Sequence, residues 1–258
     1  MRSSNPVLSD SALSSDLARG GEAMSIQGVV NKSFVLLLLL LTSAWWIWSK
    51  MVPATSVPLE EAGDSAFNVG PWIMGGLIGG VVFGFVTIFV KKISMYTAPL
   101  YALCEGLILG GVSFLFEKSY PGIVMQAVGI TFLTLFSLLT LYKLRIVTVT
   151  DKFRMGVFAA TGAIALFYFV TWILSLFGAG KGLIMMYSAS TPLGIGISLI
   201  VAGVAALNLL LDFDLIERVS AQGAPKYMEW YCGFALMVTL VWLYLEILRL
   251  LAKFRDRR

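Results

Sequence analysis

A succession of apolar runs, each close to or beyond the length that crosses a lipid bilayer, constrains this chain more than any other feature. A helix needs about 20 apolar residues to span the hydrocarbon core. Lipid offers no water to backbone N–H and C=O groups, so such a run must satisfy them internally, as a helix does. The runs occupy about 33–51, 72–90, 95–116, 123–142, 155–177, 194–211 and 234–252. They predict an all-α, polytopic membrane protein with a seven-transmembrane-helix bundle over residues 32–252. Residues 1–31, rich in Ser and Gly, read as a flexible cytoplasmic tail, and 253–258 as a basic C-terminal tail.

Composition agrees: 58% of the residues are hydrophobic and 13% charged, about half the charged share of a soluble domain. The net charge of +4 does not point to nucleic acid, because Lys and Arg gather at segment ends where topology uses them. Arg2, Arg19, Lys32, Lys91, Lys92, Lys143, Arg145, Lys152, Arg154, Arg218 and Lys226 fall on one side, against Lys50, Lys118 and Lys181 on the other. This split places the N-terminus inside. The last run breaks the pattern, since a seventh crossing carries the basic tail outside. A re-entrant segment there, after six crossings, is the alternative.

Acids inside or at the ends of such segments are costly and mark candidate functional positions. Glu105 lies about ten residues into the third span, about 15 Å deep and near the midplane. The sixth span closes on Asp212, Asp214 and Glu217. Asp212 and Asp214 are separated by roughly 200° around a helix, so they cannot face one spot. Glu246 and Arg249, inside the seventh span, are three apart on one face and can neutralise each other. The sharper expectation pairs a sixth-span acid, Asp212 or Asp214, with Glu246. Two carboxylates in contact cannot both ionise cheaply, which makes a proton-sensitive latch. Opened and ionised, the pair offers the hard oxygen ligands that suit Ca²⁺.

Other chemistry lacks support. The chain has no His, the commonest general base and metal ligand, and neither HExxH nor a Ser/Lys motif, so an enzyme is not expected. Cys104 and Cys232 have no CxxC spacing and read as structural thiols. Gly75, Gly76, Gly79, Gly80 and Gly84 in the second span give GxxxG spacings suited to close helix packing.

Glu105-Gly106-Leu107-Ile108-Leu109-Gly110 in the third span, Phe213-Asp214-Leu215-Ile216 ending the sixth and Leu243-Tyr244-Leu245-Glu246-Ile247-Leu248 in the seventh appear together, in order. In these motifs and in its helix count the chain resembles the Bax inhibitor-1 family, its bacterial members included. The resemblance covers residues 30–252. It implies a pH-sensitive calcium leak channel of the bacterial inner membrane, gated by an acidic pair on the last two helices. The sixth-helix acid maps onto Asp214, or onto Asp212 with a slipped register, and the seventh onto Glu246. The seventh-helix position is Glu where the family usually has Asp, and the second helix lacks a latch arginine, a part that falls to Arg249. Ca²⁺ enters as the permeant ion, and no resident cofactor is expected. The other reading is a non-conducting scaffold that binds other membrane proteins, such as a membrane protease, within the lipid bilayer.

Overall fold

The computed structural model describes residues 22–56, 70–178, 187 and 189–257. Among these, the regular structure is helical: α1 Ile26–Ser56, α2 Gly70–Phe89, α3 Ser94–Ser119, α4 Ile123–Lys143, α5 Asp151–Leu176, α6 Pro192–Ala221 and α7 Met228–Asp256. A short 3-10 turn, Lys91–Ile93, joins α2 to α3. All seven helices are long and apolar enough to cross a membrane. The last segment is one continuous helix of 29 residues, the form expected of a full crossing.

Two boundaries differ from the sequence expectation. The first helix begins at Ile26, not near Ser33, because Ser25 caps it and residues 22–25 pair with another part of the chain. The basic tail is not a tail: α7 continues through Asp256, and Lys253 is 3% exposed. The remainder of the N-terminal segment and Lys181 lie outside the described residues.

The helices fall into two compact units. One holds the chain up to Leu115 together with Leu215–Met237. Its packing rests on glycine. A Cβ on Gly106 would collide with Leu40 and Ser43 of α1, and one on Gly110 with Ala44 and Ile47. In α2, Gly76 lies against Cys104 and Leu107 of α3. Small residues at these positions let backbones approach until van der Waals contact replaces the hydrophobic drive that lipid removes. The Thr87 and Thr97 hydroxyls, 2.7 Å apart, add a polar tie between α2 and α3.

The other unit holds Phe116–Asp214 with Val238–Arg258. Its helix ends are capped locally. The Glu117 carboxylate accepts from the N–H groups of Gly122 (2.5 Å) and Val124 (3.1 Å), closing the first turn of α4. Gly122 has a φ of 80°, which a residue without a Cβ adopts freely. Thr150 caps α5, its hydroxyl accepting from the Phe153 N–H at 3.2 Å.

Candidate functional site: the polar cluster on the C-terminal half of α7

Glu246, Arg249 and Lys253 follow at intervals of three and four residues, so one face of α7 carries all three. Glu246 is 2% exposed. Its carboxylate accepts from Arg249 Nη1 at 2.8 and 2.9 Å, from the Tyr168 hydroxyl of α5 at 3.0 Å, and from the Tyr187 hydroxyl at 3.1 Å. Arg249 Nη1 also donates to both tyrosine hydroxyls, and its guanidinium lies over the Tyr187 ring. One turn on, Lys253 Nζ donates to the carbonyls of Tyr187 and Gly194 and to the Ser198 hydroxyl. The cluster thus ties α7 to α5, to the start of α6 and to the connection before it. It holds two cations against one acid. Glu246 neutralises Arg249, while the buried Lys253 ammonium is met by these neutral oxygens and by the Tyr187 ring, whose centroid is 4.7 Å away.

The spacing-based expectation of a Glu246–Arg249 ion pair has its counterpart here. The expected partnership of Glu246 with an acid of α6 does not: its carboxylate is taken up by Arg249 and the two tyrosines. The reason is register. Asp212 hydrogen-bonds to Thr239 of α7, and Glu246 lies seven residues beyond Thr239, about 10 Å along the helix axis. Asp214, on the opposite side of α6, forms an ion pair with Arg154 of α5 at 3.1 Å. Arg154 also reaches Asp151 at 3.2 Å.

Asp212 stands apart among these acids. Thr239 meets the carboxyl group, and Oδ2 is buried with no hydrogen-bond partner among the described residues. Nearly all buried oxygens in folded proteins have a partner, so this one stands out beside the fully bonded Glu246. It can receive a proton or an incoming cation. One turn before it, Asn208 bonds across to Thr161 of α5 at 2.8 Å, which fixes the neighbouring turn. Glu105 belongs to the other unit, where it hydrogen-bonds to Tyr101 on its own helix. It is not among the residues gathered here. Among the described residues, no three or more Cys, Asp or Glu side chains converge as a metal site.

Tyr168, Tyr187 and Lys253 were not singled out from the sequence. The tyrosines sit 78 and 59 positions from Glu246, with no local pattern to link them. Lys253 did carry a signal: it is in phase with Glu246 and Arg249, but its place in a basic cluster made it read as tail.

No curated protein matches the chain. The family model described as Bax inhibitor 1 like matches residues 5–256, almost the whole length, and agrees with the seven apolar helices and with the order of the third-, sixth- and seventh-helix motifs. The chain is an integral membrane protein and belongs to the Bax inhibitor-1 family.

Proposed function

We propose that this protein is a proton-sensitive cation leak of a bacterial inner membrane, with its N-terminus in the cytoplasm and calcium as the permeant ion. In this reading Asp212 exchanges a proton for a passing cation. The Glu246–Arg249–tyrosine cluster is the clamp that keeps α5, α6 and α7 closed on one another. The observation that carries the reading is the buried Oδ2 of Asp212, which has no hydrogen-bond partner among the described residues. A buried acid inside a membrane-spanning bundle suits an ion or proton pathway better than it suits packing. The clamp differs from an acid–acid latch: an arginine, rather than a shared proton, balances the α7 acid.

The test is Ca²⁺ flux into liposomes holding the purified protein, between pH 6 and 8. The wild type is expected to pass Ca²⁺ at a rate that varies with pH, and Asp212→Asn to lose that variation. Glu246→Gln, which weakens the clamp, is expected to raise the flux several-fold across the range. Wild-type flux equal to that of empty liposomes at every pH overturns the proposal. A second reading, a non-conducting scaffold for another membrane protein, draws on glycines that meet no neighbour, Gly156 and Gly162 of α5 and Gly203 of α6. Small residues on an open helix surface are where a partner helix packs closely in lipid.

A further inference from the structure

We propose that residues 22–25 form a releasable strap that locks the start of α1 onto the α6–α7 turn through a capping box divided between two helices. In an ordinary capping box, the N-cap Ser accepts from the N–H three residues on, and a Glu at that third position accepts from the Ser N–H. Here the first half is present: Ser25 Oγ accepts from the Gly28 N–H at 2.9 Å. The third position is Gly28 and supplies no carboxylate. Glu229 of α7 supplies it instead, accepting from the Ser25 N–H at 3.1 Å and the Ser25 hydroxyl at 3.3 Å.

The absent side chain at Gly28 is what admits this acid. A Cβ there would collide with the Glu229 carboxyl group, which is 3% exposed. The cap of α1 is therefore complete only while α7 is docked. The strap itself runs antiparallel to the turn. The Met24 N–H donates to the Ala224 carbonyl at 2.8 Å, the Lys226 N–H donates to the Glu22 carbonyl at 3.0 Å, and Ala23 bridges Pro225. Glu22 and Lys226 pair through their side chains.

Of the strap side chains, Met24 alone is buried, while Glu22, Ala23 and Ser25 are exposed. Met24 packs into a cluster with Val29, Ile216, Val219, Met228 and Cys232. A lock of one apolar plug, a few backbone bonds and one carboxylate is the kind of element that opens locally while the rest of the fold holds. Opening withdraws Met24 from the cluster that holds Cys232, which is 1% exposed in the closed form. The lock is independent of any ion conduction.

The Cys232 thiol reports the lock directly. The full chain carrying Cys104→Ser, in detergent, is treated with a maleimide and the labelling rate of Cys232 is followed. Glu229→Gln, which keeps the size of the side chain but removes its charge, and Gly28→Ala, which displaces the carboxyl group, are each expected to speed labelling about tenfold. Cys104, followed in a Cys232→Ser background with the same substitutions, is expected to label at its unchanged rate. Labelling of Cys232 at the wild-type rate in both variants overturns the strap. Acceleration at both cysteines also overturns it, because that is general unfolding rather than release of a lock.

Discussion

At the residue scale, the α7 cluster is governed by what burial does to charge. Breaking one side of a buried ion pair leaves the other charge uncompensated, at about 3–5 kcal/mol when both groups are fully buried. The Arg249 side chain is 34% exposed, so solvent screens part of its charge. Glu246→Gln is accordingly expected to cost about 2–3 kcal/mol, read as a lowered unfolding temperature in detergent. The paired replacement Glu246→Gln with Arg249→Met, which removes both charges of the pair, is expected to cost less than Glu246→Gln alone. The Glu22–Lys226 pair behaves differently because it lies outside the spans. Lys226 holds the Glu22 carboxyl below its usual range, and Glu22 raises Lys226 in return. A lowered acid contributes above its unfolded pKa and is lost as pH falls through its folded value, while a raised lysine is lost only as pH rises past its own. Both groups therefore keep their charge between pH 6 and 8. Replacing Glu22 by Gln is expected to leave any pH dependence of Ca²⁺ flux in that window unchanged, measured in the same liposomes.

At the element scale, the glycines sort into two kinds by what surrounds them. Gly106 and Gly110 of α3 face the α1 backbone, where a Cβ meets carbonyl groups that cannot rotate aside. Alanine at either position forces α1 and α3 apart, with an expected loss of about 1–3 kcal/mol. Gly129 of α4 and Gly156 of α5 meet nothing within 4 Å, and there alanine removes only glycine's entropic penalty. Those two substitutions are expected to be neutral or to stabilise by about 0.5–1 kcal/mol. Thermal unfolding of the four single variants in one detergent checks the contrast. A uniform response would remove the argument that close approach, rather than helix propensity, selects the α3 glycines.

At the scale of the whole molecule, seven crossings are expected to put the two ends of the chain on opposite sides of the bilayer. This is the arrangement the charge rule resists, because Lys253, Arg255 and Arg257 then leave with the last helix. The structure shows what occupies two of these cations. Lys253 is sunk among carbonyls near the start of α6, and Arg255 donates to the Pro121 carbonyl at 2.7 Å and to Gln126 at 3.1 Å. Fixed in this way, they act as structural donors, and the loop charges of the earlier spans are left to set orientation. Reporters fused to the two ends and tested for protease access in intact inverted vesicles are expected to read opposite sides. Ends reading the same side would restore the re-entrant alternative for the last segment.

By itself, the sequence determined the number, type and order of the membrane helices and the family, since lipid leaves an apolar run of such length no structure but a helix. It also held the Glu246–Arg249 pair, because three residues of helix put two side chains on one face whatever packs against it. Tertiary structure alone decided the partners of the remaining acids. Asp214 meets Arg154 from 60 positions away, and Glu246 meets Tyr168 and Tyr187, because the rotation and axial register of α5, α6 and α7 bring them level. The same register sets Asp212 against Thr239, about two turns short of Glu246, and so parts the two acids that the motifs had joined. Rotation and register follow from how side chains interlock across helices, and no pattern along one segment records that.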